Sequence, residues 1–216
     1  MSVAIGTSVR AFSIDAAGTL LVPRESIAAV YHRHAARHGS VCTSAEIATV
    51  LPDAMRSLRS LRAEDPGWRA YWSAVIARAT GCDAPALLDE LYAHFADPNA
   101  WRLVPDAEPT LATLRERGFA IAVLSNWDER LRATLDGLGV LARIDALVVS
   151  AEVGVEKPDP RIFAIACERL GVAPHELVHV GDDDDDDLVG ARAAGCSALH
   201  VDRDLGGLAG LLGLLP

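Results

Sequence analysis

From residue 106 onward, stretches with apolar residues at helical spacing alternate with short apolar runs. DAEPTLATLRERG, DERLRATLDGLG and DPRIFAIACERLG read as helices, the last with Pro160 suited to its first turn. FAIAVLSN, DALVVS, ELVHVGD and CSALHVD are the apolar runs between and after them. Helix and strand in alternation predict a parallel sheet covered by helices. An earlier strand, RAFSID, stops at Asp15 and runs into the turn AAGTLL. Residues 24–100 then contain no convincing strand. Ile27, Val30, Tyr31 and Ala35 recur at helical spacing before a stop at Gly39, and a helix-rich stretch continues, broken by Pro52, Pro66 and Pro85. Trp101 to Pro105 reads as the return linker. The expected fold class is α/β. Residues 1–23 and 101–216 form a doubly wound parallel-sheet core, and residues 24–100 are a helical insertion after its first strand.

Composition narrows the function classes. The chain has 216 residues, of which 50% are hydrophobic and 23% charged, an ordinary soluble globular balance that can bury a sizeable core. Its net charge is -10, with no cluster of lysines or arginines able to follow a phosphate backbone, so nucleic acid is not an expected partner. Cys42, Cys82, Cys167 and Cys196 are scattered without zinc-type spacing, which fits a reduced, cytoplasmic compartment. MSVAIGTSVR lacks the apolar segment of a leader, and DLGGLAGLLGLLP is too short to span a bilayer, so no membrane association is expected. Oligomeric state has no signature in the sequence.

The chemistry concentrates at strand ends. In HVGDDDDDDLVGARAAG, six consecutive aspartates sit between a buried strand and a small-residue helix. Holding carboxylates together on such a turn is costly through mutual repulsion, and a divalent cation offsets that cost. Asp182, at the strand end, and Asp187, at the helix start, are the side chains placed to matter; the four between them belong to a solvated loop. Ligands in doubly wound sheets bind beyond the carboxyl ends of the strands. Asp15, Ser125, Lys157 and Asp182 stand at or just after those ends, and Lys157 is the only lysine in the chain. A carboxylate nucleophile, a hydroxyl donor, a fixed cation and a second carboxylate for a metal are what in-line attack on a phosphoryl group requires.

The segments FSIDAAGTLL, VLSNWDER, GVEKPDPRIF and HVGDDDDDDLVGARAAG, in this order, resemble the haloacid dehalogenase superfamily of hydrolases. The likeness is to the branch with a helical cap inserted after the first motif, and SNWDER and DAAGTL look most like the branch named after a rhythmically expressed gene product. The resemblance implies a Rossmann-like core and a small phosphorylated substrate. Asp15 would be the nucleophile, Ser125 the phosphate donor, and Lys157 the cation bridging nucleophile and phosphate. Asn126 and Thr19 would also bind substrate. A magnesium ion would be held by Asp15, Asp182 and the backbone carbonyl of Ala17, with Asp187 supporting it through water or from behind.

One position departs from the family. Its phosphatases carry a second aspartate two residues after the nucleophile, where this chain has Ala17. That aspartate protonates the leaving alcohol and then activates water, so its loss predicts a phosphatase with weakened acid-base catalysis. Phosphonoacetaldehyde hydrolases have alanine there but form a Schiff base with a cap lysine, and this cap has none. Haloacid dehalogenases expel halide without a proton, but need no magnesium and lack an acidic fourth motif. A non-catalytic member that binds a phosphoester or a partner is the alternative from another class. His34 and His38, four residues apart, have zinc-ligand spacing, but no completing ligand is recognisable, which favours packed or solvated histidines. Trp68, Tyr71 and Trp72 read first as core of the inserted domain.

Overall fold

The computed structural model describes residues 8–63, 67–201 and 207–215. Pro66, Asp202 at the end of the last expected strand, most of the N-terminal segment considered as a leader and the start of the Leu-rich end lie outside them. The chain divides into two compact units, one of residues 1–22 and 102–216, the other of residues 23–101.

The strands are β1 (Ala11–Ile14), β2 (Leu21–Pro23), β3 (Trp101–Leu103), β4 (Ala120–Ser125), β5 (Ala146–Val149), β6 (Leu177–Gly181) and β7 (Ser197–His200). The helices of the second unit are α1 (Ile27–Ala35), α2 (Ser44–Ser57), α3 (Trp68–Thr80) and α4 (Pro85–Ala96). Those of the first are α5 (Ala107–Glu116), α6 (Arg130–Gly137), α7 (Ser150–Val153), α8 (Pro160–Leu170), α9 (Gly190–Ala193) and α10 (Ala209–Leu212).

In the first unit β5, β4, β1, β6 and β7 make one five-stranded sheet in that order, with every pairing parallel. Both faces of such a sheet are covered, which is why AFSI, AIAVLS and LVHVG are buried almost throughout and read as continuous apolar runs. The register aligns Ile14 of β1 with Val123 of β4 on one side and Val180 of β6 on the other. Asp15, Ser125 and Asp182 consequently leave the sheet at one edge, the carboxyl ends of the three central strands.

The second unit packs its four helices around Tyr71, Ile47, Leu87 and Leu91, all essentially inaccessible to solvent. Trp68 and Trp72 pack against the same core. Helix α2 begins with a capping box in which the Thr43 hydroxyl accepts the Glu46 N–H at 3.3 Å and the Glu46 carboxylate accepts the Thr43 N–H at 2.8 Å. An N-cap of this kind is worth about 1 kcal/mol.

Two expectations are corrected here. Pro52 does not break the helical stretch but lies inside α2, where the amphipathic face carrying Ile47, Leu51 and Ala54 outweighs one missing backbone donor. Trp101–Leu103, expected as linker, is strand β3, which pairs with β2 in a two-stranded sheet through which the chain passes out and back. Only three residues long, it lies below the length at which alternation can be recognised. Pro85 does start a helix, as the first residue of α4, where the missing N–H would be unpaired in any case.

Candidate active site and metal centre

The residue after β1 is Asp15, buried, with its backbone N–H donating to Val180 of the neighbouring strand at 2.9 Å. Its Oδ1 accepts from Ser125 Oγ at 3.0 Å and from Lys157 Nζ at 2.6 Å. Lys157 comes from the segment between α7 and α8, followed by a cis bond to Pro158. Its ammonium, 3% exposed, also donates to Asp187 Oδ1 at 2.5 Å. Four elements far apart in sequence thus meet on one ammonium and one carboxylate.

Asn126 explains how Lys157 is held. Its Oδ1 accepts the Lys157 backbone N–H at 2.7 Å, and its Nδ2 donates to the Lys157 carbonyl at 2.9 Å and to Asp186 Oδ2 at 3.2 Å. One amide therefore pins both backbone groups of the lysine. Thr19 is likewise committed within the protein, donating to Asp182 Oδ1 at 3.2 Å.

The acidic run is an ordered π-helical turn over Asp184–Val189, with an N–H from Leu188 reaching the Asp183 carbonyl five residues back. Asp183 caps it, its carboxylate accepting the N–H groups of Asp185 and Asp186 at 2.9 and 2.8 Å. Of the middle carboxylates, Asp183, Asp184 and Asp185 are exposed and Asp186 is half-buried, but Asp183 and Asp186 are more than solvated loop residues, because the turn's unpaired N–H groups and the Asn126 amide engage them. Such single π turns recur at functional sites. Here the turn buries Asp187, whose Oδ1 receives His179 Nε2 at 3.0 Å and whose Oδ2 receives the Asp183 N–H at 3.1 Å. Gly181 has no side chain because a Cβ there would overlap the Asp187 carboxyl, and Gly18, at φ +88°, stands equally close to that of Asp182.

Asp15, Asp182 and Asp187 each offer an oxygen, and the three atoms lie within 4.8 Å of one another. Three carboxylates then face one ammonium. Burial pushes the Asp15 carboxyl up to about 7; Lys157 opposes this, while the charges of Asp187 and Asp182 add to it. Asp182, exposed at the mouth, is also raised, first by lost hydration and then by Asp187. Asp187 itself is held well below the usual carboxylate range, because the His179 hydrogen bond and the Lys157 charge outweigh its burial. Burial would lower the Lys157 ammonium, but the Asp15 and Asp187 charges overcome it and hold the group up. A hard divalent cation among these oxygens would cancel the repulsion that strains Asp15 and Asp182, and an all-oxygen set suits magnesium, which takes one or two protein carboxylates and completes its shell with water and phosphate. The residues fit such an ion.

The Ala17 side chain is exposed on the turn after Asp15. In the other unit, His34 Nδ1 lies 2.9 Å from Glu90 Oε2 and His38 Nε2 3.0 Å from Glu90 Oε1. Among the described residues, three ligand atoms converge as a metal needs only at the aspartate trio. Three participants were not anticipated: Asp183 as cap, Asp186 as an acceptor for Asn126, and His179. The signal for His179 was available: a histidine inside the apolar run ELVHVG must find partners once the strand is buried.

The haloacid dehalogenase-like hydrolase family matches residues 9–195. The chain is 34% identical over 206 residues to haloacid dehalogenase-like hydrolase domain-containing protein 3 of Mus musculus, covering 89% of this chain and 82% of that one. It is 44% identical over 114 residues to a phosphoserine phosphatase of Thermus thermophilus, covering 52% and 46%. Among solved structures, a dehalogenase with an intermediate complex is similar at TM-score 0.75 and 25% identity, over 96% of this chain and 97% of that one.

Proposed function

We propose a reaction from one premise: the chain belongs to the haloacid dehalogenase-like hydrolases. It is a hydrolase, and the reading we favour is a magnesium-dependent phosphatase on a small phosphorylated metabolite, acting through an aspartyl-phosphate. The observation that carries it is the Asp15 carboxylate, held by Ser125 and Lys157 beside two further carboxylates. The likeness to a phosphoserine phosphatase and to a glyceraldehyde 3-phosphate phosphatase of Methanopyrus kandleri supports phosphoryl chemistry. The acidic trio disfavours dehalogenation, since a carboxylate substrate would be repelled there.

Both donors to Asp15 engage Oδ1, so Oδ2 is the oxygen better suited to attack. Ser125 and Lys157 orient the phosphoryl group and compensate its charge; Asp15 attacks phosphorus, and the bond to the leaving oxygen breaks. Water then cleaves the aspartyl-phosphate, restoring Asp15 and releasing phosphate. Asp15, Asp182 and Asp187 would hold the magnesium, with the Ala17 carbonyl as a further ligand, and the ion would neutralise charge on the transferring group. With Ala17 in place of a carboxyl, no side chain at that position can protonate the leaving oxygen, so an alkoxide would have to take its proton from water.

Purified protein assayed with aryl, acyl and alkyl phosphates, with magnesium and with chelator, tests this reading. Aryl and acyl phosphates should turn over far faster than alkyl ones, and only with metal. Ala17→Asp should raise the alkyl rate by up to about 10² to 10⁴, or roughly 3 to 5 kcal/mol of barrier, with little change for activated substrates. A flat response in folded, magnesium-bound protein favours a non-catalytic phosphate- or partner-binding role. Turnover of a haloacid control in chelator would favour dehalogenation.

A further inference from the structure

We propose that His179 is a positioning residue: protonated on Nε2 and backed by Ser13, it fixes the orientation in which Asp187 receives the metal. The inference rests on the magnesium-dependent reading above. His179 of β6 lies opposite Ser13 of β1 in the sheet register, and neither side chain reaches solvent. Its Nδ1 is 2.8 Å from Ser13 Oγ and its Nε2 3.0 Å from Asp187 Oδ1. Phe163 of α8 meets the ring edge-on, with centroids 5.0 Å apart.

An ionised carboxylate can only accept, so the proton on this hydrogen bond belongs to Nε2. The neutral ring then keeps its lone pair on Nδ1, and the Ser13 hydroxyl is the donor that meets it. The hydrogen bond made by one ring nitrogen sets the role of the other. The effect reaches the site through one atom. Asp187 Oδ1 receives both His179 Nε2 and Lys157 Nζ, whereas Oδ2 receives the backbone N–H of Asp183. Two strong donors saturate Oδ1 and stop the carboxylate from rotating, so Oδ2 is the oxygen offered to a cation. Without the imidazole, Lys157 would be the one side chain holding Asp187 Oδ1, beside the Asp183 N–H on Oδ2, and the ammonium would be drawn from Asp15 toward it. A ring present only to fill the core would need neither polar contact; an apolar side chain would serve as well.

Calorimetric titration of magnesium into wild type, His179→Leu and His179→Gln separates the two roles, together with the ring ¹⁵N shifts of His179 in metal-free protein. The leucine variant should bind magnesium about 10- to 100-fold more weakly, the range for loss of an outer-shell partner. Glutamine, whose amide N–H can reach the Nε2 position, should restore most of the affinity. The ring shifts should show the Nε2-protonated tautomer. Wild-type affinity in the leucine variant, or an Nδ1-protonated ring, overturns the proposal; if leucine does not fold, the glutamine variant and the ring shifts decide. No magnesium bound by the wild type would overturn the metal reading itself, and the metal-free tautomer would still uphold or overturn the hydrogen bond.

Discussion

Replacing Lys157 by methionine removes the only ammonium in the site while keeping most of the stem's packing. The structure fixes what is lost: donors at 2.6 Å to Asp15 and 2.5 Å to Asp187, in a side chain 3% exposed. Removing one partner of a buried ion pair leaves an uncompensated charge and costs about 3 to 5 kcal/mol. Here two carboxylates are left, and Asp15 relieves part of the cost by taking up a proton, since its carboxyl already sits near 7 with the lysine present. The loss should therefore fall at the lower end of that range at pH 6 and the upper end at pH 8. Urea unfolding in chelator measures it. Magnesium at a hundred times its dissociation constant should return about 2.7 kcal/mol, by mass action on the folded state alone. A loss below about 1 kcal/mol in chelator, with no response to magnesium, would refute the view that Lys157 balances this charge cluster.

Asp182→Asn should abolish magnesium binding in calorimetry while Asp184→Asn changes it little; equal losses would contradict the assignment, since Asp184 is exposed and its carboxylate lies 3.3 Å from His200 Nδ1 rather than in the trio. Magnesium affinity should fall as pH drops below about 7, because the ion must then displace the proton that burial keeps on Asp15. The slope should not exceed about tenfold per pH unit for one proton displaced. Titrations at pH 6, 7 and 8 check it, and an affinity flat across that range would exclude Asp15 as a ligand.

Most of the sheet was legible because β1, β4, β5 and β6 are buried almost throughout and read as apolar runs between helices of clear period. The three-residue strand β3 was not, being set by pairing with β2 rather than by its own sequence. Pro52 misled because propensity is local, whereas the apolar face of α2 is rewarded by tertiary packing. In the site, residue types at strand ends could be placed from sequence, since topology delivers them to one edge. Hydrogen-bond partners could not. Asn126 and Thr19 were placed in the site from the sequence as substrate contacts; that their side chains also hold Lys157 and Asp182 has no signature in the sequence.

The six aspartates look like one feature in sequence and are several in space, and the π turn is what divides them. The wider turn brings Asp187 under the sheet edge to Lys157 and His179, and leaves Asp182 at the mouth beside Thr19. Asp183 satisfies N–H groups that open the turn, and Asp186 reaches Asn126, which itself holds the lysine. Negative side chains at the start of a helical segment gain typically 0.3 to 1 kcal/mol each from its dipole, which offsets part of the repulsion among neighbours. That term differs little from one aspartate to the next, because Asp184 to Asp187 all lie in the first turn. The differences come from burial and from specific donors, so neutralising each aspartate in turn should produce unequal effects on metal binding. A uniform response along the run would mean that bulk negative charge, rather than the geometry of the turn, holds the ion.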